Sequence, residues 1–197
     1  NDATMNYSLA ISLLALGRRD EALEALDRSL TKQPTVLPTL LLRGQIELDA
    51  GHEELAGRYL RPAFDSHPEE LQARQLLARW HLQMGKTAEA KNDSVTAERH
   101  YRDGLIVDEN NVDLLLSLGE LYLANGRQAE AINPLEGAHH LQPQNQRVCL
   151  LLGHAYVAMH EPEKARAILA AGAQLGGQSG EDATDKQCRE SLQHLQP

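Results

Sequence analysis

The chain of 197 residues is long enough to form one continuous hydrophobic core, since 42% of its residues are hydrophobic. It carries 28 acidic and 19 basic residues, a net charge of −9, which disfavours nucleic acid and anionic membranes as main partners. No run of about 18 apolar residues occurs, so we predict no membrane-spanning helix and no direct membrane insertion. The start of the chain shows no signal-peptide pattern.

Glycine, alanine and proline recur along the chain at a fixed step of 34 residues. A sequence period of about 20 to 50 residues is typical of solenoids, in which each unit is too small to bury its own apolar face. The period therefore predicts stacked helical hairpins and a single repeat domain over residues 1–197. The recurring pairs are Gly17 and Gly51, Ala22 and Ala56, Pro34 and Pro68, Gly119 and Gly153, and Ala131 and Ala165.

The first unit, residues 3–36, shows the layout expected of every unit. An apolar face ends at Gly17, and a second apolar stripe with four-residue spacing ends before Pro34, which lacks the amide hydrogen a helix needs to continue. We therefore expect two antiparallel helices in each unit. The two stripes are Leu9, Ala10 and Leu13, then Ala22, Leu26 and Leu30.

The second unit, residues 37–70, places Arg43 and Glu47 four residues apart, and thus on the same helical face. One interpretation is an intrahelical ion pair at the edge of the core, which contributes about 0.3–0.5 kcal/mol if it is exposed. The alternative is a buried pair that recognises a partner. Pro62 here, and Pro134 in the fourth unit, lie inside predicted second helices and should bend them.

The third unit, residues 71–111, is longer than the others by seven residues. If Ala97 is the small residue of its second helix, the insertion lies between Gly85 and Ala97. Seven residues make about two helical turns, so the apolar face is preserved. We predict either a second helix extended at its start, through Ala88, Ala90 and Val95, or a short loop capped near Asp93 or Ser94. Both forms would protrude as a knob.

The fourth and fifth units, residues 112–145 and 146–179, repeat the layout of the first. The first helix of each contains a leucine–glycine pair with an aromatic residue three positions after the glycine: Leu118-Gly119 with Tyr122, and Leu152-Gly153 with Tyr156. A glycine-rich break follows, and a final amphipathic stripe over residues 181–197 predicts a helix that covers the last hairpin. That stripe is Thr184, Cys188, Leu192 and Leu195.

This arrangement resembles the tetratricopeptide repeat family, in which a leucine–glycine pair, an aromatic residue, a glycine turn, an alanine and a closing proline recur in that order. The resemblance covers residues 3 to about 179 in about five repeats. It implies an all-α fold, a right-handed superhelical solenoid of antiparallel hairpins with a C-terminal capping helix. It also implies an inner groove that binds peptides or other proteins.

In that family the first helices line the concave surface. The resemblance therefore implies a mostly apolar groove, suited to an amphipathic helix or an extended apolar peptide, in which Gln45, Arg79, Glu120 and His154 form a central polar row. Two alternatives stay open: the leucines pack against one another, or the strip holds another copy of the chain. The groove residues are Tyr7, Ile11, Leu14, Leu41, Gln45, Leu48, Gln75, Arg79, Leu82, Leu116, Glu120, Leu123, Leu150, His154 and Val157.

Catalytic chemistry finds little support in the sequence. No GxSxG, P-loop, GxGxxG, HExxH or CxxC string occurs, and the nine histidines lack the i, i+4 spacing that would place two imidazoles on one helical face. We therefore expect no enzymatic activity, no cofactor and no metal, and we interpret Trp80 as a packing residue. Cys149 and Cys188 are expected as thiols, which could pair only if the capping helix folds back closely.

The function predicted on this basis is a non-catalytic interaction scaffold that holds a protein or peptide partner in its groove. Two alternatives remain: a regulatory or substrate-recruiting arm of a larger enzyme, and a spacer in a bacterial envelope or secretion assembly. Because the chain begins with Asn1 rather than methionine, we expect a processed or excised fragment of a longer chain. The compartment, cytoplasm or periplasm, is left open.

Overall fold

A computed structural model describes residues 2–179 and 183–194, with the side chains of residues 176–179 and 183–185 outside the description. Within those residues every regular element is an α-helix, which confirms the predicted all-α class. The helices are α1 (Asp2–Ala15), α2 (Arg19–Lys32), α3 (Leu37–Asp49), α4 (Glu53–Ser66), α5 (Leu71–Ala90), α6 (Ser94–Val107), α7 (Val112–Ala124), α8 (Gln128–Leu141), α9 (Gln146–Ala158), α10 (Pro162–Ser179) and α11 (Ala183–Gln193).

Consecutive helices pair as hairpins, and each pair is closed by two buried side chains of its second helix. An alanine near the start of that helix and a large residue one turn later are both fully buried in every hairpin. A small residue lets the two helices approach, and the large residue fills the space beside the crossing. The two sets are Ala22, Ala56, Ala97, Ala131 and Ala165, then Leu26, Leu60, Tyr101, Leu135 and Leu169. The position predicted for Ala97 is thereby confirmed.

Each hairpin turns through one residue with a positive φ. In three hairpins this residue is a glycine, Gly17, Gly51 or Gly126, with φ between 71° and 74°. In the third and fifth hairpins it is Asn92 and His160, both with φ of 59°. Glycine and, less often, asparagine adopt this left-handed conformation at low cost, so these residues mark the turns.

The seven extra residues of the third unit lengthen its first helix. α5 has 20 residues, whereas α1, α3, α7 and α9 have 13 or 14, and α6 has the usual 14. The prediction of a longer second helix is wrong, while the alternative of a cap near Asp93 is confirmed, because Asp93 Oδ1 accepts a hydrogen bond from Thr96 N at 3.0 Å. Gly85 is not a turn residue: it lies inside α5, where an added Cβ would come within 2.2 Å of Tyr101 Cε1.

The chain divides into two compact units, residues 1–84 and 85–197, and the boundary between them falls inside α5. The first unit contains α1 to α4 and the first part of α5. The second contains the remainder of α5 and α6 to α11. The organisation of residues 1–197 as a single repeat domain stays a prediction.

In the first unit, polar groups link the first two hairpins through their buried faces. Ser29 Oγ donates to the carbonyl oxygen of Ala3 at 2.9 Å and lies 3.1 Å from Thr39 Oγ1. Arg43 and Glu47 do form an intrahelical ion pair, and only 9% and 4% of their surfaces are exposed. The pair is therefore buried, and the small contribution of an exposed ion pair does not apply to it.

In the second unit, a carboxylate on α6 contacts side chains from α6, from α7 and from the turn before α8. Glu98 accepts hydrogen bonds from Arg127 Nη1 at 2.5 Å and from the Tyr122 hydroxyl at 3.0 Å, and Arg102 Nη2 lies 2.9 Å away. The hydrogen bond from Arg127 is the largest of the effects that hold the pKa of Glu98 below its usual value. This network ties the third hairpin to the fourth.

No helix in the described part of the chain combines the length and hydrophobicity of a membrane span.

Both internal prolines lie where the sequence placed them, Pro62 inside α4 and Pro134 inside α8. Trp80 is a packing residue, as predicted, because it is 3% exposed and its Nε1 donates to the carbonyl oxygen of Glu53 at 2.7 Å.

Candidate functional site

The predicted groove residues occupy equivalent places on the first helix of each hairpin. Each of α1, α3, α5, α7 and α9 carries three of them, spaced four and then three residues apart. Since residues at i, i+4 and i+7 lie on one side of a helix, every trio forms one face. We refer to this set of positions as the first-helix face. The two compact units each contain part of it.

In the first unit the first-helix face is less apolar than the sequence indicated. Leu41 and Leu48 are 3% and 5% exposed, so they offer almost no surface to a partner. Tyr7 and Leu14 are half-buried against the core of the first hairpin. Ile11, which is 46% exposed, is the most accessible apolar residue of the six predicted on α1 and α3.

Polar side chains take up much of the remaining first-helix face in this unit. Gln45 is half-buried, and Gln75 and Arg79 are exposed. Arg79 Nη2 lies 2.8 Å from Asp49 Oδ1, so the charge of this arginine is already balanced by a carboxylate on α3. Asp49 was not singled out from the sequence. Its place four residues after Gln45 on the same face was the signal that could have identified it.

In the second unit, α7 and the C-terminal end of α9 keep apolar side chains accessible. Leu116 and Leu123 are half-buried, and Val157 is 40% exposed. Glu120 Oε1 lies 2.6 Å from Arg147 Nε, an ion pair that joins α7 to α9. The accessible face in this unit is thus an apolar strip crossed by one balanced charge pair.

The helix α11 covers the other end of this face. Leu150, on α9, is 7% exposed because it is enclosed in a cluster with Leu169 and Cys188, against which Leu192 packs. His154 Nε2 lies 3.0 Å from Ser191 Oγ, and partial burial lowers the pKa of this histidine. The sequence predicted a cap over the last hairpin, but not its contact with two groove positions. The predicted cap residue Leu195, and the side chain of Thr184, lie outside the described residues.

A separate cleft of about 500 Å³ lies in the first unit between α4 and α5, away from the first-helix face. Trp80 forms part of its wall, and the guanidinium carbon of Arg61 stands 4.5 Å from the centre of the indole. Two basic residues, Arg58 and Arg61, and two acidic residues, Glu54 and Asp65, all line this cleft from α4, so it has no net charge to select a charged ligand.

Among residues 2–179 and 183–194, no group of three or more histidine, cysteine or acidic side chains is arranged to hold a metal ion. In the second unit, side-chain pKa values are changed by burial, hydrogen bonds and ion pairs within the helical packing. Tyr156 is an example, since burial and its hydrogen bond to Glu136 raise its pKa. The arrangement is suited to packing and contact.

Family models described as "Tetratricopeptide repeat" match three parts of the chain, residues 6–35, 82–145 and 129–181. Together these ranges include more than half of the sequence. A search of curated protein sequences gives no match.

Several solved structures are similar to the present one. The crystal structure of the MamA protein has a TM-score of 0.65 at 18% identity, over 90% of this chain and 93% of its own. YrrB, described as a TPR protein with an unusual peptide-binding site, gives 0.62 at 15% identity, over 96% and 92%. The Sgt2 TPR domain from Aspergillus fumigatus gives 0.53 at 21% identity, over 60% and 78%. At such low identities the similarity is one of fold alone.

Proposed function

Because this chain belongs to the tetratricopeptide repeat family, we propose that it is an interaction scaffold whose first-helix face in residues 85–197 binds an amphipathic segment of a partner protein. Its repeats and all-α fold are those of proteins that typically serve as non-catalytic interaction scaffolds. The contact surface in this proposal is formed by Leu116, Leu123 and Val157.

The observation that carries the proposal is the unequal burial of the two sides of α7 and α9. Within the helical packing these helices bury Leu118, Tyr122, Leu152 and Tyr156 almost completely. On the first-helix face Val157 remains 40% exposed, and Leu116 and Leu123 on α7 are half-buried. Apolar side chains that stay accessible together on one face commonly mark a contact surface.

The partner chemistry follows from the residues around this strip. An amphipathic helix would place its apolar side chains on Leu116, Leu123 and Val157, and its polar side chains toward the Glu120–Arg147 pair. The net charge of −9 favours a segment flanked by basic residues, because opposite charges raise the rate of encounter. The peptide-binding site named for YrrB, which has a similar fold, is consistent with a peptide partner.

The proposal can be tested without a known partner, by selecting peptides that bind the chain from a library of random sequences. Peptides from a random displayed library are selected on the wild-type chain, and their affinities are measured by isothermal titration calorimetry. The double variant Leu123→Asp, Val157→Asp places two charges in the strip. It should weaken binding at least tenfold, which corresponds to about 1.4 kcal/mol.

The matched control is Ile106→Asp, which places the same charge on α6 at a residue that is 82% exposed. It should leave affinity unchanged. Helical content and melting temperature of all variants are compared by circular dichroism, so that loss of binding is separated from loss of fold. Equal binding by the wild type and the double variant would refute the proposed site, as would an equal loss in the control.

A further inference from the structure

The capping helix α11 is attached to the last hairpin through a small apolar cluster that contains a cysteine. Cys188 is fully buried, together with Leu169 and the nearly buried Leu150, and Leu192 packs at the edge of this cluster. Most other described residues of α11 from 186 onward are exposed. The helix therefore depends on one side, centred on Cys188, for its contact with α9 and α10.

The second cysteine of the chain lies on the other side of the same contact. Cys149, on α9, is also fully buried, and both thiols are outside any disulfide. A Cβ built on Gly172, on α10, would lie 3.2 Å from Cys188 Sγ and 3.9 Å from Cys149 Sγ. Since both sulfurs are that close to one point, they lie no more than about 7 Å apart. The same Cβ would lie 3.0 Å from Cys149 Cβ, so the absence of a side chain at Gly172 lets both cysteines pack closely against α10.

We propose that Cys149 and Cys188 form a reversible disulfide that fastens α11 to α9. The chain contains only two cysteines, and the fold brings them together from elements far apart in the sequence. A disulfide bond joins two sulfurs at about 2.05 Å, and α11 can bring Cys188 to this distance by shifting toward α9. A short helix held through one apolar side can make that adjustment at small cost.

The oxidant is a peroxide, and the reaction balances in two steps. When α11 undocks, hydrogen peroxide transfers one oxygen to the Cys188 sulfur, which gives a sulfenic acid and one water molecule. When α11 docks again, the Cys149 sulfur attacks the Cys188 sulfur, the sulfur–oxygen bond breaks, and a second water leaves with the Cys149 proton. The two thiols lose two electrons in total, and the peroxide oxygen–oxygen bond takes them up. A small dithiol reverses the reaction.

The surroundings of Cys149 supply a base for the second step. His139 Nδ1 lies 3.8 Å from Cys149 Sγ, and the same sulfur lies 3.8 Å from the carbonyl oxygen of Pro143. Both thiols are fully buried in the closed state, and burial raises the pKa of the Cys149 thiol and so lowers its thiolate fraction. Cys188 is the first to react in this proposal because it lies on α11, the helix that undocks.

The disulfide would also fix the cover over part of the first-helix face. α11 encloses Leu150, so a covalent link would keep this position closed to a partner and would hold Ser191 beside the exposed His154. This consequence rests on the proposed binding function, whereas formation of the disulfide does not. The two can therefore fail separately.

Peroxide treatment of the purified chain at low protein concentration tests the disulfide directly. Digestion without reductant and mass spectrometry should show a linked peptide pair containing Cys149 and Cys188, lighter than the two thiol peptides by two hydrogens. Dithiothreitol should remove the link. The oxidised chain should elute from a size-exclusion column at the same volume as the reduced chain. Its melting temperature should be several degrees higher, because the link closes a long loop.

Cys188→Ser and Cys149→Ser serve as matched controls, and each should abolish both the linked pair and the gain in melting temperature. A third variant, Gly172→Val, places a side chain against both cysteines and should slow linkage by at least tenfold. Further oxidation of Cys188 to sulfinic acid with Cys149 still a thiol would overturn the proposal. Linkage only between separate chains would overturn it equally. Affinity of the selected peptides before and after oxidation reports the binding consequence independently.

Discussion

The substitution Gly85→Ala tests the most unexpected feature of the fold, the packing of α6 against the lengthened end of α5. An added Cβ at this position would lie 2.2 Å from Tyr101 Cε1, 2.6 Å from Cδ1 and 2.8 Å from Cζ. Tyr101 is fully buried, and its hydroxyl donates to Glu89, so the ring cannot move aside easily. The methyl group must therefore push the two helices apart.

Two opposing effects set the size of the change. Alanine favours a helix interior over glycine by about 1 kcal/mol, and overpacking a buried crossing costs about 1–3 kcal/mol. Because the collision is with a rigid ring, we expect a net destabilisation of about 1–2 kcal/mol. For a chain of this length that corresponds to a fall in melting temperature of about 2–8 °C, measured by circular dichroism at the helical band.

A second background makes the result diagnostic. Tyr101→Val removes the three ring atoms that meet the added Cβ, so in that background Gly85→Ala should stabilise the chain by up to about 1 kcal/mol. The exposed neighbour Lys86→Ala is the control and should change stability by less than about 0.5 kcal/mol. If Gly85→Ala melts at or above the wild-type temperature, Gly85 does not lie at the helix crossing and the placement of α6 is wrong.

Three further predictions concern stability, each measured by chemical or thermal unfolding. Ala131→Leu, at a fully buried crossing, should cost about 1–3 kcal/mol, and an unchanged stability would contradict the packing of α8. Arg43→Met removes a basic partner of the buried Glu47, whose Oε2 also lies 2.7 Å from His52 Nδ1, and should cost up to about 3–5 kcal/mol. Arg166→Met, in an exposed pair, should cost less than about 1 kcal/mol. Equal costs would refute the assigned burial. The lowered pKa of Glu98 means that its contribution is complete above its unfolded pKa of about 4.3 and is lost as pH falls through the lower folded value. Glu98→Gln should therefore lose stability at pH 6 and much less at pH 3, and a parallel pH dependence of the two proteins would argue against the network.

The repeat pattern predicted the hairpins because the same small and large residues must meet at every crossing. Ala22 and Leu26 recur 34 residues later as Ala56 and Leu60, and all four are fully buried. The turn of the third unit was harder to locate from the sequence, because Gly85 is a glycine, a residue type common in turns. The stronger signals were Asn92, which adopts a positive φ, and Asp93, which caps the next helix. An asparagine followed directly by a helix-capping aspartate, as in Asn92-Asp93, indicates the turn between the two helices.

The candidate face was predictable in position but not in exposure. Helical periodicity places Leu41, Leu48, Leu150 and Val157 on the first-helix face. The three leucines are buried, whereas Val157 is exposed. Burial depends on neighbouring helices, and periodicity carries no information on how closely they approach. The amphipathic stripe predicted that α11 covers the last hairpin, but its contact with Leu150 is long-range, and no local pattern identifies the residue that is covered.

Hydrogen–deuterium exchange of the chain with and without a selected peptide tests the central claim most directly, because it locates the bound segment without any substitution. The account predicts that slowed exchange on binding is concentrated in α7 and α9, around Leu116, Leu123 and Val157. Slowed exchange confined to α6, α8 and α10, with α7 and α9 unchanged, would contradict it.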